Sequence, residues 1–246
     1  MEEMRTMTKI NTPKEIFPDI SGEYGKLYGD DLISIILYGS AAGGDYRPGK
    51  SDLNFLIVLS DEAIDHLGRA MEAVSRWRKK GVATPLFMTK SYIASSLDSY
   101  PLEFLNMQKG HLLAYGEDVL SDLTFDIEHL RLQCEREIKG KLLLLRERFL
   151  ETEGKAKRIQ ALIAESITAF ISIFRGLLHL KGAPIPSTRR EIVAALAHEF
   201  PIDATVFVRC LDIKEGGKIS PAEANDAMKA YLAEVRRLWN CVDTLE

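Results

Sequence analysis

Apolar residues form short continuous runs in the first half of the chain and follow a helical spacing in the second half. Residues 32–38 (LISIILY) and 53–59 (LNFLIVL) are continuous apolar runs of strand length. Residues 82–88 and 112–115 are further runs of the same character, the first of them interrupted by Pro85. Such runs, bounded by turn residues, are typical of strands buried in a sheet. The pattern therefore predicts four strands, all of them before residue 126.

Helical patterns separate these predicted strands. Residues 61–80 place apolar side chains three or four positions apart and end at Gly81, and residues 91–108 predict two short helices divided by Pro101. The apolar side of the first helix is predicted to consist of Ile64, Leu67, Met71, Val74 and Trp77.

The second half of the chain predicts helices only. They are expected at 128–150, 155–180, 188–199 and 204–213, with a last helix that begins after Ser220. Thr188 with Glu191, and Ser220 with Glu223, have the form of capping boxes. The apolar stripes of the long helices are expected to include Leu132, Ile138, Leu142, Leu145, Ile159, Ile163, Ile167, Phe170, Phe174, Leu177, Tyr231, Val235, Leu238 and Val242. The sequence thus predicts an α+β protein, with a small mixed-sheet domain at residues 1–125 and an all-α helical bundle domain at 126–246.

Composition and charge exclude several classes of protein. Of 246 residues, 46% are hydrophobic and 28% are charged, as in ordinary globular chains. The net charge of −4 argues against binding to long nucleic acid, which requires an excess of Lys and Arg. No signal peptide is expected, and the longest strongly apolar stretch, Ile167–Phe174, is shorter than the ~20 residues of a membrane span. Cys134, Cys210 and Cys241 form no CxxC pair and are expected to be free thiols, which favours a cytoplasmic location.

The candidate chemistry lies between the first two predicted strands. The first strand leads into Gly39-Ser40, and after a polar loop the second strand opens with Asp52 and Asn54. Glycine lets the backbone approach a ligand closely, and free amides with the Ser40 hydroxyl are suited to phosphate oxygens. Alternation along a strand places positions 52 and 54 on one face. A carboxylate there, together with phosphate oxygens, is suited to Mg²⁺.

This segment resembles the nucleotidyltransferase superfamily of the polymerase-β type. The signature of that superfamily is an apolar strand, Gly-Ser or Gly-Gly, a spacer of about ten residues, and Asp-x-Asp or Asp-x-Glu in the next strand. Gly39-Ser40, eleven intervening residues and Asp52-Leu53-Asn54 follow that order. The layout is also similar to the aminoglycoside and minimal nucleotidyltransferases, in which the small α/β domain is paired with a helical bundle.

The resemblance implies a function and a set of site residues. The reaction is transfer of a nucleoside monophosphate from a nucleoside triphosphate to a hydroxyl of a small molecule or protein, with Mg²⁺. Asp52 corresponds to a metal ligand, and Asp52 and Asn54 occupy the catalytic positions. The residues expected to bind the nucleotide phosphates are Gly39, Ser40, Lys50 and Ser51.

The chain departs from this pattern at two positions. Asn54 replaces the second acid of the motif, and the later strand, where a third acid is expected, has none between Thr84 and Thr89. Two-metal phosphoryl transfer relies on such carboxylates. Acids elsewhere that are candidates to replace them are Asp45, Asp61, Asp98 and Glu103.

Two other functions remain open on the sequence. The missing acids are consistent with a catalytically degenerate nucleotide-binding or regulatory module, paired with a toxin-like partner as an antitoxin or forming a homodimer through the bundle. Arg175 and His179, four positions apart on one predicted helix, form the basis for a third hypothesis, an RNA-processing nuclease.

Overall fold

A computed structural model describes residues 10–43, 46–49, 51–217 and 219–245. The chain divides into two compact units. The first comprises Met1–Leu97 and Met107–Thr124, and the second comprises Asp98–Asn106 and Phe125–Glu246.

The first unit is built on a four-stranded mixed sheet. Its elements, in chain order, are α1 (Phe17–Tyr28), β1 (Leu32–Tyr38), β2 (Asn54–Leu59), α2 (Met71–Arg78), β3 (Leu86–Thr89), α3 (Lys90–Ser95), the end of α4 (Pro101–Lys109) and β4 (His111–Gly116). The strand order is β3-β2-β1-β4. Strand β1 is antiparallel to β2 and β4, and β2 is parallel to β3. The four predicted strands are confirmed, although β3 begins at Leu86 and Val82 forms only an isolated bridge with Leu53.

One face of this sheet carries the core of the first unit. Ile35 and Leu37 of β1 are fully buried together with Ile57 of β2, and they cluster with Ile20 and Tyr24 of α1. Each fully buried side chain of this size contributes about 1.5–3 kcal/mol relative to an exposed one. Because side chains alternate along a strand, the intervening residues of β1 and β2 lie on the other face of the sheet.

Helix α1 is absent from the sequence-based prediction. Gly22 and Gly25 lower its helical propensity, so its pattern does not stand out. Ile20, Tyr24 and Tyr28 nevertheless recur every four residues and are buried, so packing against the sheet outweighs propensity here.

The helix predicted at 61–80 is wrong in both its continuity and its buried side. Residues Ala63–Ala70 form a 3-10 helix with a non-helical residue at His66, and only Met71–Arg78 is α-helical. Leu67 and Met71, predicted to face the core, are exposed, whereas Trp77 is buried as predicted. The residues that pack inward instead are Ala63, Ala70 and Ala73.

The second unit contains five further helices. They are α5 (Ile127–Glu151), α6 (Ala156–Leu180), α7 (Arg189–Glu199), α8 (Ala204–Lys214) and α9 (Pro221–Asp243). Helix α6 lies at the centre and packs against the other four. Both predicted capping boxes, at Thr188 and Ser220, are present at the starts of α7 and α9. The α+β fold class is confirmed.

The core of the second unit confirms most of the predicted stripes. The predicted apolar residues of α6 and α9 are all buried, and the rings of Phe170, Phe174, Phe207 and Tyr231 pack edge-to-face or tilted. By length and composition alone α6 is apolar enough to span a membrane, but most of its apolar side chains form this core. One predicted core residue is wrong: Leu132 of α5 is exposed, and Leu130 and Cys134 take the buried positions.

Candidate functional site

The Gly39–Ser40 segment is a tight bend at the end of β1. Tyr38 ends the strand in an extended conformation, Gly39 has a φ of +79°, and Gly39–Ala41 form a single 3-10 turn. The carbonyl of Gly39 accepts the N–H groups of Ala42 at 3.1 Å and Gly43 at 3.0 Å. A positive φ is disfavoured for residues with a Cβ, so the bend requires glycine at this position. The N–H of Gly39 is itself donated to the carbonyl of Gly110, which ties the bend to the start of β4.

The opening of β2 lies beside this bend. Asn54 pairs with Tyr38 in the antiparallel ladder, so the two side chains share a face. A Cβ placed on Gly39 would lie 3.5 Å from Nδ2 of Asn54, which puts the Asn54 amide directly against the bend. Asn54 of the Asp-x-Asn segment therefore lies next to the bend.

Asp52 precedes the strand and is exposed. Leu53 is buried in the core and is held by hydrogen bonds with Gly81 and Ala83, and alternation along the strand places Asn54 on the opposite face from Leu53. An extended chain rises about 3.3 Å per residue, which corresponds to about 7 Å between the Cα atoms of Asp52 and Asn54. Asp52 is exposed to solvent.

The predicted phosphate ligands in the connecting loop have different outcomes. Lys50 lies outside the described residues. Ser51 closes a small loop with Arg47: its Oγ accepts the Arg47 N–H at 3.1 Å, and its own N–H is donated to the Arg47 carbonyl at 3.0 Å. Gly49, with a φ of +75°, forms the turn between them. Ser51 thus has a structural role in shaping the loop that precedes Asp52.

The acids proposed as replacements have different outcomes. Asp45 lies outside the described residues. Asp61 lies beyond the opposite end of β2, where its carboxylate accepts the Ser91 hydroxyl at 2.5 Å, and hydrogen bonds of this kind lower its pKa. Asp98 and Glu103 belong to the second unit. Across the described ranges, no group of three or more His, Cys, Asp or Glu side chains is arranged to hold a metal ion.

A histidine missed by the sequence analysis completes the row of side chains on this face. His111 of β4 pairs with Tyr38, so Asn54, Tyr38 and His111 lie side by side across three strands. Its Nδ1 lies 2.9 Å from the carbonyl oxygen of Gln108, and its Nε2 lies 3.0 Å from a carboxylate oxygen of Asp118. Because both partners are acceptors, the two hydrogen bonds form together when both ring nitrogens carry protons. His111 therefore anchors the start of β4.

Two further groups near this row have shifted pKa values. Burial raises the pKa of the Tyr38 phenol. Partial burial also raises the pKa of Asp118, but hydrogen bonds from His111 and from two backbone N–H groups outweigh it, and the pKa lies below its usual value. No sequence signal singles out His111 or Asp118, since their role depends on the pairing of β4 with β1.

Arg175 and His179, the basis of the nuclease hypothesis, lie on α6 in the second unit. The His179 ring packs edge-to-face on Phe125 with centroids 6.0 Å apart, and Arg175 also has interaction partners within the protein.

In comparisons with known sequences, no protein-family profile and no curated protein matches this chain. Comparison with solved structures, in contrast, identifies a nucleotidyltransferase-like fold, in agreement with the resemblance seen in the sequence. One similar structure is the crystal structure of spectinomycin adenyltransferase AAD(9) from Enterococcus faecialis with ATP and spectinomycin. The match covers 90% of this chain and 98% of that chain, with a TM-score of 0.50 and 13% sequence identity.

Proposed function

We propose that this protein binds a nucleoside triphosphate at the Gly39–Ser40 bend and transfers its nucleoside monophosphate to a hydroxyl of a small molecule. The observation that supports this most directly is the position of the Asn54 amide, 3.5 Å from where a Cβ on Gly39 would stand, because it brings the two halves of the motif together. Gly39 leaves room for a phosphate beside the backbone, and the Ser40 hydroxyl is a hydrogen-bond donor for it. The presence of ATP and a small molecule in the AAD(9) structure supports the same classes of ligand.

The donor set fits one Mg²⁺ ion and does not fit two. Asp52 supplies one exposed carboxylate, and Mg²⁺ is commonly held by one or two carboxylates together with phosphate oxygens and water. Asn54 is neutral, and β3 carries no acid. When bound, the ion neutralises charge on the phosphates.

The proposed reaction is a displacement at phosphorus. The acceptor hydroxyl oxygen forms a bond to the α-phosphorus, the bond from that phosphorus to the β-phosphate oxygen breaks, and pyrophosphate leaves with the electron pair. The hydroxyl proton passes to solvent. Since two carboxylates of the usual set are absent, we expect slow transfer. Three free thiols and the use of a nucleoside triphosphate favour the cytoplasm.

A second function is favoured by Asn54 itself. Replacement of an acid by an amide lowers the affinity for a divalent cation, as expected for a regulatory module that binds nucleotide without transferring it. Such a module would act on a protein partner, for example as an antitoxin.

Two assays on the full chain test these functions. Isothermal titration calorimetry with each of the four nucleoside triphosphates and Mg²⁺ measures binding, and release of labelled pyrophosphate with candidate acceptors measures transfer. We expect Asp52→Ala to abolish Mg²⁺-dependent binding and transfer. Asp65→Ala, which changes an exposed aspartate outside the site, serves as the matched control.

A third variant separates the two functions. Asn54→Asp restores one carboxylate at the bend, so we expect it to raise the affinity for the Mg²⁺–nucleotide complex by about tenfold. If the wild type transfers the nucleotide and Asn54→Asp transfers it faster, the transferase function is supported. If both proteins bind the nucleotide but neither transfers it, the regulatory function is supported. Absence of nucleotide binding in the wild type would refute both.

A further inference from the structure

Helix α5 presents leucines to solvent along one line. Leu132, Leu143 and Leu150 are 57%, 65% and 78% exposed. At about 100° per residue, these three positions fall within about 20° of one another around the helix. Isolated exposed leucines are ordinary, but an aligned row on a helix marks a surface that is suited to another protein.

Gly140 lies on the same side of α5, and no neighbouring group in the chain requires a residue without a side chain there. It is exposed, and no heavy atom lies within 4 Å of the position where a Cβ would stand. Glycine in a helix interior costs about 1 kcal/mol relative to alanine. Nothing in its own chain requires the small residue, whereas an approaching side chain from outside would.

The charges beside these leucines are arranged so that the face is complementary to itself. Arg136 and Glu147 lie on the same flank of the row and are equally far from the midpoint between Gly140 and Leu143. Both side chains are exposed, and neither forms an ion pair within the part of the chain that the structure describes. A twofold axis across this midpoint would place Arg136 of each copy opposite Glu147 of the other.

The same twofold operation also brings the other residues of this α5 face opposite one another. It brings Leu143 of each copy over Gly140 of the other, and Leu132 within about one residue of Leu150. On the opposite flank it brings Arg146 near Glu135, an acid that already pairs with Arg131 and Lys139 of its own chain. The three leucines then meet apolar or small residues, and Arg136 meets Glu147. Lys139 lies on the same line of the helix and keeps its ion pairs with Glu135 and Asp243 of its own chain.

We propose that two copies of this protein associate through this α5 face, with the two helices antiparallel. The occupant is a second copy because the pattern of residues is complementary under reversal of its own direction. A contact confined to one face of a helix is smaller than an obligate interface, so we expect a dissociation constant in the micromolar range. The proposal is independent of nucleotide binding.

Charge reversal with exchange tests the antiparallel arrangement. Arg136→Glu places two acids together at both symmetry-related sites, and Glu147→Arg places two arginines together. We expect each variant alone to raise the dissociation constant measured by sedimentation velocity about tenfold. An equimolar mixture of the two variants should restore dimers, because both cross-copy pairs are then of opposite charge.

Controls separate this effect from general changes in charge or folding. Arg236→Glu reverses an exposed arginine on α9 and should leave the dissociation constant unchanged. Circular dichroism melting of each variant checks that the fold is retained, which the exposure of both side chains favours. A wild-type protein that remains monomeric at all concentrations overturns the proposal, and so does a mixture that fails to restore dimers.

Discussion

Substitution of glycine by alanine adds one methyl group, and Gly116, Gly39 and Gly140 place that group in three different backbone environments. Gly116 ends β4 with a φ of +75°, and a Cβ there would lie 2.0 Å from the carbonyl oxygen of Ile33. Gly39 also has a positive φ, but its Cβ would meet Asn54 only at an ordinary contact distance of 3.5 Å. Gly140 lies in regular helix with open space around it.

These environments determine the sign and size of the change in the free energy of unfolding. Gly39→Ala introduces a Cβ at a positive φ and no steric clash. It should therefore lower the free energy of unfolding by about 1–2 kcal/mol. Gly116→Ala adds a clash with the backbone of β1 that the sheet relieves only by moving apart, so we expect a loss of more than about 3 kcal/mol. Gly140→Ala should raise stability by about 1 kcal/mol, because alanine favours the helix.

Urea unfolding measures these differences, followed by far-UV circular dichroism and by the fluorescence of Trp77 in the first unit and Trp239 in the second. Gly81→Ala is the control for Gly39→Ala, since Gly81 also has a positive φ, +89°, and no atom within 4 Å of its Cβ position. Equal stability of the Gly116 and Gly39 variants would refute the reasoning, because it would mean that the close approach of Ile33 has no cost.

Three further predictions rest on single side chains. Thr188→Ala removes the capping box of α7 and should lower the free energy of unfolding by about 1 kcal/mol in urea titrations. Asp118 has a pKa that is lower in the folded than in the unfolded chain, so its stabilising effect is complete above the unfolded value and is lost as the pH falls through the folded value. The difference in Tm between wild type and Asp118→Asn should therefore close on acidification, as followed by thermal melts at a series of pH values. Iodoacetamide should modify Cys241 alone in the native protein and all three cysteines in urea, as read by mass spectrometry, because burial shields the other two thiols and raises their pKa.

The strands were predictable from the sequence because burial on both faces of a sheet leaves continuous apolar runs. Residues 32–38 match β1, and 53–59 match β2 to within one residue. Helix α1 was not predictable in this way, since Tyr24 and Tyr28 become buried only when the sheet is present. The same dependence on tertiary contacts explains the error at Leu132, which has helical spacing but lies on the side of α5 away from the core.

Only the part of the candidate site that lies within the local Gly-Ser and Asp-x-Asn motif could be predicted from the sequence. The Gly-Ser bend and the Asp-x-Asn segment are separated by a loop of eleven residues, and their spacing suggested that they meet. The position of Asn54 beside the bend depends on the register of β1 with β2, which the loop length does not determine. His111 depends on a pairing between strands more than seventy residues apart in sequence, and no local pattern indicates it.

Uncharged residues shape the backbone of the bend and of the segment that leads into β2. Gly39 and the buried Leu53 set the backbone of the site, and neither contributes a charge. Asp52 and Asn54 are two residues apart, a Cα separation of about 7 Å in extended chain, where two carboxylates would repel one another unless a cation lay between them. The neutral amide at position 54 removes that repulsion, and it also weakens the attraction for a divalent cation. Under the proposed function, the affinity for a divalent cation therefore depends on the side chain at position 54, whereas the backbone of the bend depends on Gly39 and Leu53, which carry no charge.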